Sequence, residues 1–268
     1  METFPFKAAI NGMNFLDLSI YTFAFAKLDH QWHGEDSASP VNRIYIPKDG
    51  TAVIGVGSQQ FRMKAGYAYL VPAETPMTFH CDAQMEKLYF HFSLFRSDRY
   101  DALSGLNRIY EIPYPTEAYA PLFQHGMNGD IGDTMIIKAQ LYNLLARFQT
   151  QYNLISEHIP VYSKTVLNTI SFIQENLSAT LHLEDLAKRC YVSRSTLTEV
   201  FRKEVGISLG KYIDDQLIAS AQRQLSQTPA SIGQISNSLG YSNQCYFSRR
   251  FKQICGMTPQ TYRARNKI

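Results

Sequence analysis

Cysteine is scarce in this sequence. The 268 residues include four cysteines, Cys81, Cys190, Cys245 and Cys255, and no two of them form a CxxC pair. This spacing argues against a zinc ribbon and against a small secreted module held by disulfides. Long apolar runs are also missing. The most apolar early stretch, 15–26, is too short to span a membrane and contains Asp17. We therefore expect a soluble protein of the reducing cytoplasm that crosses no membrane.

Net charge is low overall but unevenly distributed. The chain carries a net charge of +3, and its length suits two domains. Residues 1–160 hold 12 Lys and Arg against 16 Asp and Glu, whereas residues 161–268 hold 14 against 7. An acidic half joined to a basic half indicates that the second half meets a polyanion such as nucleic acid. A split of this size also arises by chance, so charge alone is weak support.

The first half has the pattern of an antiparallel β-structure. Short apolar or alternating runs are separated by turn residues, among them Pro47–Gly50, Gly57 and Gly66. This spacing is typical of a sandwich or barrel. The predicted strands are 43–46, 51–56, 60–64, 67–71 and 86–94.

Helical periodicity replaces this pattern after Pro121. Apolar residues recur at steps of three or four along one stripe, which comprises Ile137, Leu141, Leu144, Phe148 and Tyr152. Such a stripe packs against a helix of a second subunit or against its own domain. The segment 156–163 contains Pro160 and breaks the pattern, so we interpret it as a linker.

The second half contains an internal repeat. Leu197, Phe201, Gly206 and Tyr212 are matched fifty residues later by Phe247, Phe251, Gly256 and Tyr262. Each copy is predicted to form two short helices across a tight turn. Ser193 caps the second helix of the first copy, and Ser242 or Asn243 caps that of the second. Each pair has the form of a helix-turn-helix DNA reader, and one helix over 211–226 connects the two copies.

The second copy carries a long motif. The residues IGQISNSLGYSNQCYFSRRFK (232–252) and GMTPQTYR (256–263) resemble the C-terminal signature of the AraC/XylS family of transcription regulators. The stretch 43–72, which ends in YAYLVP, is similar to the cupin-like effector domain of that family. Two residues depart from the family pattern: Tyr191 occupies a turn position where many members have a small residue, and Leu217 replaces a common arginine.

The resemblance implies a two-domain fold. An all-β cupin-like barrel with accompanying helices would occupy 1–155 and bind an effector. A linker would follow at 156–163, and an all-α domain with two helix-turn-helix motifs would occupy 164–268. The resemblance also implies that the helix carrying the 137–152 stripe pairs two subunits. The expected partners are operator DNA, RNA polymerase if the protein is an activator, a small organic effector and a second copy of the chain.

Exposed residues of the two recognition helices are the candidate DNA contacts. By similarity, Ser195, Thr198 and Glu199 face bases and Arg194 flanks phosphates, while Arg can pair with guanine and Gln with adenine. The alternative is an ordinary solvated helix face. The full candidate set is Arg194, Ser195, Thr198, Glu199, Arg202, Asn243, Gln244, Cys245, Tyr246, Arg249 and Lys252.

A polar strand face is the candidate effector site. Lys87, Tyr89 and His91 alternate with apolar residues, and Arg43 and Tyr45 share a face of an earlier strand. These side chains could supply the polar groups of a ligand pocket. The alternative places the Lys87 face in solvent.

Metal or enzyme chemistry has little support in the sequence. His30, His33, His80 and His91 do not form an HxH pair followed by a spaced Glu, so we expect neither metal nor cofactor. The leading hypothesis is therefore a transcription regulator, an activator that responds to an effector. The alternatives are a cupin enzyme tethered to a DNA-binding domain and a methyl-acceptor DNA-repair protein. The latter needs a dedicated acceptor cysteine, whereas Cys190 and Cys245 lie within the readers.

Overall fold

The computed structural model describes residues 15–36, 39–155 and 162–266. For residues 265 and 266 only the backbone is described. The chain divides into two compact units near residue 158, except that Ser97–Arg99 group with the second. We call the first the β-unit and the second the helical unit. Of the predicted linker 156–163, only Tyr162 and Ser163 lie within the described residues. No described helix is long and apolar enough to cross a membrane.

The described residues of the β-unit form nine strands in two antiparallel sheets. The strands are β1 (Leu16–Leu28), β2 (His33–Asp36), β3 (Asn42–Gly50), β4 (Ala52–Val56), β5 (Gln59–Met63), β6 (Tyr67–Val71), β7 (Met77–His80), β8 (Met85–Arg96) and β9 (Tyr110–Pro113). One sheet has the order β1-β8-β3-β6-β9 and the other β2-β7-β4-β5. Within the described ranges, no strand pairing joins the two sheets.

The predicted turn at Pro47–Gly50 is wrong. These residues continue β3, which pairs with β8 as far as Gly50 opposite Met85, with a register shift between Pro47 and Asp49. Gly50 then adopts φ 73°, and a Cβ there would lie 2.0 Å from the Gln84 carbonyl oxygen. The strand therefore reverses at its glycine end, and the irregularity absorbs the proline.

The larger sheet is covered on both faces. One face packs against the smaller sheet through Tyr45, Tyr69, Ile54 and Met63. The other face carries Ile44, Ile46, Phe90 and Phe92 among its apolar residues. Two helices cover that second face: α1 (Tyr119–Asn128) and α2 (Ile131–Tyr152).

The apolar stripe of α2 packs within its own domain. Ile137, Leu141, Leu144 and Phe148 are buried in one cluster with the outer face of the larger sheet. The expectation that this stripe pairs two subunits is therefore wrong, because its side chains already fill the core of the β-unit. Periodicity predicted the helix correctly, but the sheet is what it covers.

The helical unit contains seven helices within its described residues. They are α3 (Lys164–Glu175), α4 (Leu183–Arg189), α5 (Arg194–Val205), α6 (Leu209–Gln227), α7 (Ile232–Ser238), α8 (Gln244–Cys255) and α9 (Pro259–Asn266). The two helix-turn-helix motifs are α4–α5 and α7–α8, and α6 connects them. Leu217 lies on α6 and is buried in the core, where an arginine would have to bury its charge.

The sequence repeat reappears as repeated packing. Phe201 of α5 meets Tyr212 edge to face with ring centroids 5.2 Å apart, and Phe251 of α8 meets Tyr262 in the same way at 5.4 Å. Gly206 and Gly256 end the two recognition helices with φ values of 86° and 73°. Both recognition helices are thus held by the same kind of aromatic anchor and end in the same kind of turn.

The tight turns of the two motifs also correspond, although their residues differ. Tyr191 and Gly240 both have positive φ, at 55° and 72°. The following amides, of Val192 and Tyr241, donate to the carbonyls of Ala187 and Ser236, each at 3.1 Å. The departure at Tyr191 therefore leaves the backbone geometry of the turn intact.

We expect Gly240→Ala to destabilise the helical unit by about 1–3 kcal/mol. A Cβ at Gly240 would lie 2.0 Å from Ser178 Oγ, and Ser178 Oγ is itself bonded to Thr180. Tyr191→Ala is the matched control, since position 191 already holds a side chain at positive φ and is 91% exposed. Urea unfolding of the two variants should show a loss for Gly240→Ala only. If Gly240→Ala loses no more unfolding free energy than Tyr191→Ala, the clash with Ser178 is relieved at little cost.

Candidate nucleic-acid interface and ligand site

The polar face of α5 is set by its anchors and its cap. Leu197 and Phe201 are fully buried. Ser193 accepts a hydrogen bond from the backbone amide of Thr196 at 3.1 Å, which fixes where the helix begins. The predicted contacts Arg194, Ser195, Glu199 and Arg202 are exposed, and Thr198 is half-buried. Thr198 Oγ1 donates to the carbonyl oxygen of Arg194 at 3.0 Å.

The face of α8 is arranged in the same way. Phe247 and Phe251 are fully buried, and the predicted contacts on the opposite side are exposed: Gln244, Cys245, Tyr246, Arg249 and Lys252. Asn243, not Ser242, caps this helix, and its Oδ1 accepts from the backbone amide of Tyr246 at 2.8 Å. Asn243 is therefore a structural cap whose side-chain oxygen is already engaged.

The exposed cations differ in how far they are engaged. Arg194 forms an ion pair with Glu184 at 2.6 Å. Among the described residues, neither Arg249, Arg202 nor Lys252 has a side-chain hydrogen bond or an ion pair. These three cations can meet phosphates or bases without first breaking a protein contact, which Arg194 cannot do.

The helix-turn-helix motifs carry further exposed cations, which the sequence prediction did not include. Lys188 and Arg189 are exposed in the last turn of α4, and Lys203 is exposed on α5. The clustering of basic residues at helix ends is the signal that could have identified them. Arg250 has another role, because it pairs with Asp214 and so joins α8 to α6. The hydrogen bond to Asp214 is the main cause of its raised pKa.

The candidate effector residues converge on the inner face of the larger sheet. The register places Arg43 opposite His91 and Tyr45 opposite Tyr89. Arg43, Lys87 and His91 are only 4%, 4% and 6% exposed. The alternative in which the Lys87 face lies in solvent is therefore wrong, because the smaller sheet covers it.

Aromatic rings surround the ammonium group of Lys87. Its Nζ lies 3.6 Å from the ring centroid of Tyr45, 4.4 Å from that of Trp32 and 5.7 Å from that of Tyr89. Burial lowers the pKa of Lys87 to about 7, and the charge of Arg43 adds to this effect. Burial likewise lowers the pKa of His91 to about 3. The sequence analysis missed Trp32, since a lone tryptophan in a loop has no periodic context.

A metal centre has no set of ligands in the described part of the chain. No group of three or more His, Cys, Asp or Glu side chains is close enough there to hold a metal ion. His33 and His80 do face each other across β2 and β7, but His33 Nδ1 lies 3.0 Å from the carbonyl oxygen of His30.

Comparison with known proteins decides the family. A family model described as a helix-turn-helix domain matches residues 186–265, which span both readers. The HTH-type transcriptional activator AarP of Providencia stuartii is 32% identical over 107 residues, which cover 40% of this chain and 79% of AarP. The chain belongs to the AraC/XylS family of transcription regulators.

Two relatives that match a larger share of this chain are also regulatory proteins. The Msm operon regulatory protein of Streptococcus mutans is 24% identical over 262 residues, covering 94% of each chain. The raffinose operon transcriptional regulatory protein RafR of Pediococcus pentosaceus is 26% identical over 212 residues, covering 75% of this chain and 76% of RafR. This AraC/XylS family member is a DNA-binding transcription regulator and not an enzyme. Its architecture is an antiparallel β-domain followed by a helical helix-turn-helix domain.

Proposed function

We propose that the protein binds operator DNA by placing α5 and α8 in the major groove. The observation that carries this is the pair of equivalent recognition helices, each anchored by buried apolar residues and each exposing a different set of polar side chains. Because the same kind of buried residue anchors both helices, we expect both to enter the major groove in the same orientation. Their exposed side chains differ, for example Glu199 on α5 and Arg249 on α8, so the two helices would contact different bases. The DNA-binding domain is then 164–268, and 1–155 is the effector domain.

The two readers would meet one side of the duplex. Helix α6 connects them directly, so their separation is fixed within the helical unit. Two readers on the same face of B-DNA must be spaced by about one helical turn, roughly 34 Å. A rigid connection of this kind favours a duplex that bends to admit both helices.

The effector domain would be a cupin-like jelly roll. Eight of its strands are arranged as β1-β8-β3-β6 and β2-β7-β4-β5, which is the order of two interleaved Greek keys. The space between such sheets is where small β-domains hold ligands, and Arg43, Tyr45, Lys87, Tyr89 and His91 would line it. Because RafR is named for a raffinose operon, a sugar-derived effector is a reasonable first class.

Dimerisation would use the outer face of α2. Ile131 and Met135 are 80% and 68% exposed and lie one turn apart, and Met127 at the end of α1 is 68% exposed. Exposed apolar side chains clustered in this way are typical of an interaction surface. We assign them to pairing with a second copy of the chain. We also propose that the protein activates through RNA polymerase, by analogy with the activator AarP, and that it acts in the cytoplasm, where operator DNA is found.

Arg249→Ala tests the base-reading role. We expect it to cost about 1–3 kcal/mol of binding free energy on the operator and to relax preference at one base pair. An operator is first selected from a random DNA pool with the full chain. Binding is then measured against every single-base variant of that operator.

Lys252→Ala is the matched control on the same helix. A phosphate contact carries no sequence information, so this variant should weaken all operator variants about equally and reduce the salt dependence. If Arg249→Ala also weakens every variant equally, Arg249 contacts phosphate and the reading face lies elsewhere on α8.

A further inference from the structure

The inner face of the larger sheet carries three buried basic side chains. Arg43, Lys87 and His91 are all more than nine-tenths buried and lie on one face of the larger sheet. Asp36 of β2, in the smaller sheet, forms an ion pair with Arg43 of β3, in the larger sheet. Burial and then the Arg43 guanidinium lower the pKa of both Lys87 and His91, and no carboxylate counteracts this shift in either group. Neither group faces a carboxylate.

Several buried nitrogen atoms of this cluster have no hydrogen-bond partner among the described residues. Within the described residues, Nε and Nη2 of Arg43 and Nδ1 of His91 are buried without a hydrogen-bond partner. A buried nitrogen without a partner destabilises the fold, and the penalty is larger when the group is charged. A folded protein rarely keeps several such atoms together unless another group satisfies them at some stage.

The rings around Lys87 supply the second half of a ligand site. Trp32, Tyr45 and Tyr89 contact the ammonium group through their faces, which offsets part of its lost hydration. The same faces can stack on the body of an organic ligand. The flexible four-carbon stem of Lys87 allows the ammonium group to turn from the rings towards an anion.

We propose that the β-unit binds a small organic anion, whose carboxylate or phosphoryl group is held by Arg43, Lys87 and His91 and whose body stacks on Trp32, Tyr45 and Tyr89. The anion gives the Lys87 ammonium group an anionic partner and supplies the acceptors that the unused N–H groups of Arg43 need. This inference rests on the proposed effector role of the β-unit and names the chemical class of the effector. A neutral sugar would leave the Lys87 ammonium group without an anionic partner.

Trp32 makes the site directly observable, because it is the one tryptophan of the chain. Full-length protein is titrated with gluconate, glucose 6-phosphate and glucose, and Trp32 emission is recorded. Inorganic phosphate and acetate test the anion position without a ligand body. We expect a saturable change with at least one anion, at a dissociation constant at least tenfold below that for glucose. The anion that saturates distinguishes a carboxylate from a phosphoryl ligand.

Lys87→Met removes the buried ammonium group and keeps most of the volume. We expect this variant to lose at least tenfold in anion affinity while its melting temperature stays equal or rises, since a buried charge without an anionic partner is removed. Lys64→Met is the matched control, because Lys64 also lies over a ring, that of Tyr67, but is exposed. That variant should bind anions as the wild type does.

Three results overturn the proposal. One is that none of the four anions changes Trp32 emission, another is that glucose binds as tightly as they do, and the third is that Lys87→Met unfolds the β-unit. Operator binding is then measured with and without each compound. This measurement separates the effector role of the β-unit from the anionic class of its ligand. If glucose alone alters operator affinity, the effector role holds and the anion class fails. If an anion binds at Trp32 without altering operator affinity, the anion site holds and the effector role fails.

Discussion

The isolated segment 161–268 is expected to bind duplex DNA, with an affinity that falls about 10³- to 10⁵-fold between 50 and 200 mM salt. The reason is the number of exposed cations around the two readers. Seven of them lie on the helices of the two helix-turn-helix motifs: Lys188, Arg189, Arg194, Arg202, Lys203, Arg249 and Lys252. Each phosphate that a cation neutralises releases condensed counterions, so a contact set of this size gives a steep salt dependence.

The segment 1–156 is the control for this prediction. It belongs to the acidic half, and the exposed cations of the readers are all outside it. Filter or anisotropy binding at 50, 100 and 200 mM salt should therefore detect binding by the basic segment only. Binding by the acidic segment, or a basic segment insensitive to salt, would contradict the assignment of DNA contact to the helical unit.

Local features of the helical unit were predictable from the sequence. Ser193 and Asn243 cap their helices through contacts only three residues away, so local chemistry alone locates the helix starts. The fifty-residue repeat then fixed the aromatic anchors, because Phe201 and Phe251 occupy equivalent positions in two copies of one motif. Short-range contacts and repetition together determine this architecture.

The interior of the β-unit was less predictable. Strand alternation placed Lys87 and His91 on one face, but alternation cannot tell which face another sheet will cover. Burial of that face depends on the smaller sheet, and the pairing of Asp36 with Arg43 joins strands of two different sheets. Trp32, which contacts Lys87, precedes β2 and has no periodic signal. Long-range pairing of this kind leaves no local pattern in the sequence.

Leu141→Lys is expected to destabilise the β-unit by about 4 kcal/mol or more. Leu141 is fully buried between α2 and the larger sheet. The substitution removes a core side chain and buries an ammonium group without a partner, and both effects act in the same direction. Thermal unfolding of the full chain should show that the β-unit of this variant melts at a lower temperature than that of the wild type.

The double variant Met127→Lys with Met135→Lys is its counterpart on the outer face. Both methionines are 68% exposed, so their replacement should change stability by only about 0.5 kcal/mol for each site. Two added charges on each copy would, however, repel across a two-fold interface, where the same surface meets itself. Sedimentation should then show a monomer. Thermal unfolding should show a stability within about 1 kcal/mol of the wild type, and operator binding should be weaker. If the double variant sediments as the wild type does, subunits pair through another surface, and the exposed face of α2 needs a different occupant.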